Sequence, residues 1–339
     1  MKKRVCICGG GNLGHVVAGV LAARGDCEVS LLTRHPERWQ QQLAISTPEG
    51  TTLEGTISRI SADPSEVVAD AGIVLLCLPG FTIHEELLHI RHDLQPGAAV
   101  GSIVSSTGFF FEALELLPPT TALFGFQRVP FIARTTEYGR SAALLGYKPM
   151  LHIAIERSAD KESLRQTVEL LFATPTILLG SYYEACLTNS NPLLHPSRLY
   201  SMWKDWHEGI IYPTHSLFYE EWTDEASELL IAMDREFFQL LHVLPVSEGC
   251  IPTILDYYES TDAPSLTRKL HSIQAFKGIL SPMKSVEGGF IPDFQSRYFT
   301  EDFPYGLRLI HELAGKHHID TPQINKVLEW GLSKQNDMI

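Results

Sequence analysis

Arg4-Val5-Cys6-Ile7-Cys8-Gly9-Gly10-Gly11-Asn12-Leu13-Gly14 is the stretch on which the fold of this chain turns. A short apolar run passes directly into glycines at 9, 11 and 14, the G-x-G-x-x-G spacing, and then into helical periodicity over 13–24. The first glycine permits a tight turn and the second lets backbone approach a pyrophosphate. The third lets the helix pack on the strand. Free N–H groups and the helix dipole at such a helix start favour negative charge. Strand, loop and helix in this order predict dinucleotide binding, with Gly9, Gly11, Asn12, Leu13 and Gly14 at the coenzyme.

Working outward, apolar runs at 4–8, 28–32, 72–77, 99–104 and 122–126 are bounded by Gly, Pro, Asp or Ser. Continuous runs of this kind suit strands buried on both faces of a parallel sheet. Helices are predicted at 13–24, 36–42, 83–91 and 109–116. Residues 45–60 alternate and read as a small antiparallel insertion. Strands at 151–156 and 176–179 flank a helix at 160–172 and extend the sheet. Beyond about Tyr183 helical periodicity dominates, over 225–242, 303–318 and 323–332, with prolines between. The expected fold is α/β: a doubly wound Rossmann domain over 1–182, followed by an all-α substrate and catalytic domain over 183–339.

Composition narrows the function. The chain has 339 residues, enough for two domains at roughly 100–200 residues each. A net charge of −13 argues against binding a nucleic-acid backbone, and no apolar run approaches the length of a membrane span. Met1-Lys2-Lys3-Arg4 ahead of an apolar stretch mimics a signal peptide. The glycines, Asn12, Arg24 and Asp26 interrupt that pattern, so a mature cytoplasmic protein is expected. The six cysteines form no CxxC pair and read as reduced, mostly buried thiols, with neither disulfide nor metal. The expected partners are small molecules, and the sequence is compatible with a homodimer.

The second strand bears on the choice of coenzyme. NAD-selective folds usually end it with a carboxylate that holds the ribose 2′-hydroxyl. Here it ends Leu31-Leu32-Thr33-Arg34-His35-Pro36-Glu37-Arg38. Arg34 offers a charged fork for a 2′-phosphate, Thr33 a hydroxyl and Arg38 a second charge. NADP(H) is therefore favoured over NAD(H), which stays possible. Leu78 and Pro79, in Cys77-Leu78-Pro79-Gly80-Phe81, and the segment Ser105-Ser106-Thr107-Gly108 stand at strand ends where the nicotinamide half is expected.

Among fourteen histidines, His195 stands apart, in Asn189-Ser190-Asn191-Pro192-Leu193-Leu194-His195-Pro196-Ser197. If Pro192 opens a helix, Asn191 is its cap. Pro196 disfavours regular helix at His195, so the imidazole is presented at a break. A second segment, Ile291 to Leu307, mixes charge with aromatics: Asp293, Arg297, Tyr298, Glu301 and Asp302 among Phe294, Phe299 and Phe303. Asp302 doubles there as a candidate N-cap for the helix at 303–318.

With these pieces the chain resembles the opine dehydrogenases, the octopine and nopaline group. The glycine loop, N-P-L-L-H-P and R-Y-F-T-E-D-F-P-Y-G-L carry the resemblance, which runs over nearly the whole chain. It implies that His195 is the acid/base, that Asp302 orients it, and that Arg297, five residues earlier, binds a substrate carboxylate. Asn191 matches an asparagine near the reacting carbonyl or imine. The implied reaction is reductive condensation of an amino acid with a 2-oxo acid such as pyruvate, or its reverse. That chemistry suits a histidine that moves protons near neutral pH, a carboxylate on its other nitrogen and a bidentate guanidinium. Asp293 is the rival orienting carboxylate, and Arg198, Tyr200, Trp203 and Trp206 are candidates to line the amino-acid pocket. The alternatives are a carbonyl reductase of the glycerol-3-phosphate dehydrogenase or ketopantoate reductase type, using Lys204 or Lys277, and a non-catalytic NADP(H) sensor.

Overall fold

The computed structural model describes residues 2–336; Met1, part of the basic stretch read above, lies outside them. The chain divides into two compact units, Met1–Thr188 and Asn189–Ile339. The division falls later than residue 182 because the helix Tyr182–Cys186 stays with the sheet unit. Gln127 donates to the carbonyl of Glu184 and to the Thr188 hydroxyl, and Tyr182 stacks on Phe110.

The first unit contains β1 (Lys3–Cys8), α1 (Asn12–Ala23), β2 (Cys27–Leu32), β3 (Gln42–Ser46), β4 (Thr52–Thr56), β5 (Arg59–Ser61), α2 (Pro64–Val67), β6 (Ile73–Leu76) and α3 (Gly80–Ile90). It continues with β7 (Ala99–Ser102), α4 (Phe109–Leu116), β8 (Ala122–Phe126), β9 (Phe131–Glu137), β10 (Ser141–Tyr147), β11 (Leu151–Glu156), α5 (Lys161–Phe172), β12 (Thr176–Leu178) and α6 (Tyr182–Cys186).

Its main sheet runs β12-β11-β8-β7-β6-β1-β2-β5. Pairing is parallel from β5 across to β8, then antiparallel between β8 and β11. The order from β5 to β8 is that of a doubly wound dinucleotide fold, and the strand order reverses between β1 and β6. The apolar runs explain the layering. Every residue of β6 and β7 is buried, and Val5, Ile7, Val29, Leu31, Leu75 and Phe124 fill the core with Val16, Val17 and Leu21 of α1. Each large aliphatic side chain so buried contributes about 1.5–3 kcal/mol.

Three local expectations are corrected. Residues 36–42 do not form a helix: Pro36–Arg38 is one 3₁₀ turn and the chain then enters β3. The alternating stretch 45–60 does contain the antiparallel pair β3–β4, yet Arg59–Ser61 leaves it and adds a parallel edge strand to β2. The pair also belongs to a second sheet, ordered β4-β3-β10-β9, whose β9–β10 hairpin the sequence reading missed.

The second unit contains α7 (Asn191–Trp203), α8 (Asp224–Val243), α9 (Ile254–Tyr257), α10 (Ala263–Ser272), α11 (Arg308–Lys316) and α12 (Pro322–Asn336). Side chains close several helix starts. Thr223 accepts from Ala226 N–H at α8, and Asp262 with Ser265 makes a reciprocal cap at α10. Glu236 of α8 accepts from Gln323 and Ile324 N–H at the start of α12. A two-stranded hairpin, β13 (Met283–Val286) with β14 (Gly289–Pro292), is added to this helical architecture. The helix expected at 303–318 begins earlier, as a π-helical segment Tyr298–Leu307 that runs straight into α11. Asp302 therefore lies inside a helix and is not an N-cap. Among the described residues no helix is long and apolar enough to cross a membrane.

Candidate active site

The glycine loop of the first unit lies just beyond the carboxyl end of β1. Gly9 takes φ +116°, and a Cβ there would meet the Cys77 carbonyl at 2.6 Å. A Cβ on Gly14 would stand 2.0 Å from the Gly9 carbonyl, so only glycine lets α1 start this close to the turn. Gly9, Gly10, Thr33, Arg34 and Leu78 line a cavity of about 820 Å³ at the ends of β1, β2 and β6. That is where ligands of doubly wound sheets bind, next to the reversal of strand order. Exposed N–H groups, a cation at the end of β2 and a volume of this size fit a dinucleotide coenzyme.

Several residues predicted at the coenzyme have other tasks. The Asn12 side chain accepts from Thr135 N–H at 2.9 Å and ties the loop to β9. Leu13 packs against the core. The Arg38 guanidinium lies 4.3 Å from the centre of the Tyr138 ring, and Arg38 does not line the cavity. Pro79 is the residue ahead of α3, and the cavity wall passes from Leu78 to Phe81 and Thr82. Residues 105–108 do not line it either.

The sequence reading missed His15. This fully buried ring accepts a hydrogen bond at Nε2 from Gly139 N–H (2.7 Å), while Nδ1 lies 2.9 Å from the Gly11 carbonyl. Nδ1 must then carry the proton and donate, which fixes a neutral tautomer. Burial pushes this imidazole below its ordinary value. Trp39 stacks on the ring at 4.1 Å, and Tyr138, beside Gly139, is a wall of the cavity. His15 thus pins the turn of the β9–β10 hairpin to the glycine loop.

In the second unit the candidate acid/base group lies on α7. Ser190, not Asn191, is the residue before the helix, and Asn191 is its first residue, one turn ahead of His195. Pro196 does not break the helix as expected. It lies inside the element, at the cost of the N–H that would have bonded to the Pro192 carbonyl. The π-helical segment carries Pro304, which likewise removes a ladder bond. A Cβ on Gly306 would come within 2.6 Å of the Pro192 ring, so this glycine lets the segment lie against α7.

That packing joins residues distant in sequence. His195 Nδ1 lies 2.8 Å from Asp302 Oδ2, and Nε2 lies 3.0 Å from the Tyr219 hydroxyl. His195 and Tyr219 are buried, and Tyr298 and Phe218 pack edge-on against the imidazole. Burial raises the Tyr219 phenol well above its ordinary value, so the phenol keeps its proton and donates it to Nε2. Nδ1–H then donates to Asp302, which gives a chain Tyr219 O–H to His195 to carboxylate. Tyr219 was missed because the local run Phe218-Tyr219-Glu220-Glu221-Trp222 reads as an aromatic packing stripe.

Asp302 rather than Asp293 is thus the carboxylate on His195; Asp293 accepts from Gln295 N–H in its own turn. Arg297 is exposed and makes a two-pronged ion pair with Glu301, at 2.8 and 2.9 Å, which raises the guanidinium still further. The expected amino-acid pocket residues belong to the scaffold instead. Arg198 is buried, donates to the Phe218 and Glu221 carbonyls, and is lowered to about 10 by desolvation. Trp203 packs on Phe294 and Phe299, Trp206 on Phe294, and Tyr200 on Trp330. Lys204 and Lys277 are committed to ion pairs with Glu225 and Glu220. Among the described residues no cluster of three or more His, Cys, Asp or Glu could hold a metal ion.

Comparison with known proteins bears on this arrangement. Residues 178–333 match the family described as NAD/NADP octopine/nopaline dehydrogenase, alpha-helical domain. The chain is 28% identical to the octopine dehydrogenase of Pecten maximus over 363 residues, spanning 98% of this chain and 90% of the relative. A solved octopine dehydrogenase with NADH and L-arginine superposes with a TM-score of 0.88 at 26% identity, covering 99% of this chain and 90% of that one. Another, with NADH and pyruvate, gives 0.85 at 26% identity over 98% and 89%.

Proposed function

The chain belongs to the opine dehydrogenase family, and from that premise we propose an NADP(H)-preferring enzyme that joins an amino acid to a 2-oxo acid such as pyruvate by reductive condensation, or runs the reverse, with His195 as acid/base. The observation that carries this reading is the imidazole set between a carboxylate and a phenol in the helical unit.

Condensation needs a group that first removes and later returns a proton. On substrate binding the ammonium group of the amino acid replaces the Tyr219 hydroxyl as the donor to His195 Nε2 and gives up a proton there, freeing the amine to attack the oxo carbon. The imidazolium, stabilised by Asp302 on Nδ1, then protonates the hydroxyl of the carbinolamine, which leaves as water. The protonated imine so formed has lost the carbonyl oxygen as water and gained a C=N bond, its nitrogen keeping one hydrogen. The nicotinamide coenzyme, when bound, supplies the hydride that reduces this bond to a secondary amine. Asn191 hydrogen-bonds the reacting carbonyl or imine, and Arg297 pairs with a substrate carboxylate by exchanging Glu301 for it. Thr33 and Arg34 hold the 2′-phosphate, which supports NADPH over NADH.

The test is coenzyme oxidation with pyruvate and a panel of amino acids. Consumption that requires both substrates supports condensation. Consumption with the oxo acid alone would mean a carbonyl reductase, and tight coenzyme binding without turnover on any pair would mean a sensor.

A further inference from the structure

The end of β2 lacks a carboxylate, yet the cavity has two on another wall, the exposed Glu85 and the mostly buried Glu86. Glu86 of α3 lines the same cavity as Gly9, Gly10, Thr33 and Arg34. Its side chain is only 16% exposed, and its ion contact is His89 on the same helix, at 4.0 Å. Among the described residues it makes no hydrogen bond, although an ionised carboxylate offers about four acceptor positions. Burial pushes its carboxyl above the ordinary range, against the pull of His89 and Arg34. A mostly buried carboxylate left short of donors in a nucleotide cavity calls for donors from the ligand.

The adenosine ribose of an unphosphorylated coenzyme supplies two neighbouring O–H donors. A 2′-phosphate replaces one of them with negative charge, which a carboxylate repels and cannot bond while ionised. Arg34 has the opposite preference. We infer that Glu86 is the coenzyme-discriminating carboxylate of this chain: it accepts the ribose hydroxyls of NAD(H) and opposes the pull of Arg34 on the 2′-phosphate of NADP(H). The inference rests on the dinucleotide reading of the cavity and not on the reaction in the other unit. Coenzyme preference then reflects a contest between β2 and α3, and the β2 tip by itself does not determine it.

The experiment is direct titration of the full-length protein with NADH and with NADPH, read by coenzyme fluorescence, without substrate. Glu86→Gln keeps size and removes charge. Its ratio of NADH to NADPH dissociation constants should rise by about tenfold or more, the scale of one charge-assisted hydrogen bond. Glu86→Ala serves as the second variant and should shift the ratio the same way. An unchanged ratio in either variant, with binding intact, overturns the role of Glu86 and leaves the dinucleotide site standing. If the wild-type protein binds neither coenzyme, the dinucleotide reading falls and the role of Glu86 with it.

Discussion

Nδ1 of His195 and a carboxylate oxygen of Asp302 lie 2.8 Å apart across a sequence separation of 107 residues. With Nδ1 so committed, the proposed proton exchange with substrate falls to Nε2 once the Tyr219 hydroxyl gives way there. Asp302→Asn keeps the side chain's size and removes the charge that stabilises an imidazolium. Turnover should fall by about a hundredfold or more, with coenzyme affinity unchanged. Steady-state kinetics beside a coenzyme titration check this. A loss of only a few-fold would exclude the orienting role.

Tyr219 donates to the other nitrogen, and its ring also stacks on Phe276 at 4.0 Å. Phenylalanine keeps that stacking, so Tyr219→Phe isolates the hydroxyl. Turnover should drop about five- to tenfold, as expected for one lost neutral hydrogen bond, with thermal stability nearly unchanged. Equal turnover in the variant would make the phenol a bystander.

Arg34 lines the cavity at the end of β2, where the 2′-phosphate of NADPH is proposed to bind. Arg34→Ala should weaken NADPH by about tenfold or more while NADH changes little, since only the former presents a 2′-phosphate to the guanidinium. Parallel changes in both affinities would show that Arg34 does not read that phosphate.

His15 is expected to make coenzyme binding sensitive to acid. Its imidazole is lowered in the fold, so the neutral form is bound there and the proton is taken up more readily by the unfolded chain. The tether to Gly139 is therefore complete above about pH 6.5, the ordinary imidazole value, and is lost as pH falls through the lower folded value. NADH affinity should decline over that window, and His15→Gln should lack this part of the decline. NADH has no 2′-phosphate, so the titration of that group does not enter. A variant with the same acid-side loss as the wild type would rule out the imidazole as its source.

Much of this architecture is written locally. The runs around Ile7, Leu31, Leu75 and Phe124 are apolar without interruption because both sheet faces are covered, and Gly9, Gly11 and Gly14 mark the one turn that must lie against a strand. The β9–β10 hairpin is less legible. Ile132, Arg134 and Leu145 face outward, so its alternation mixes apolar and charged residues on one face. A proline also misled the reading: Pro196 signals a break, but packing of the Tyr298–Leu307 segment on α7 keeps it inside a helix. His195 stood out by its place beside Pro196, and its pairing with Asp302 came through a motif resemblance. Tyr219, His15 and Glu86 were missed, because only three-dimensional packing gives an aromatic stripe, a helix histidine and a helix glutamate their partners.

The most direct measurement is turnover of His195→Ala with whichever amino acid and 2-oxo acid the wild-type enzyme condenses, alongside a coenzyme titration of the same variant. The account predicts at least about a hundredfold loss of turnover with coenzyme affinity intact. Wild-type turnover in this variant would contradict it.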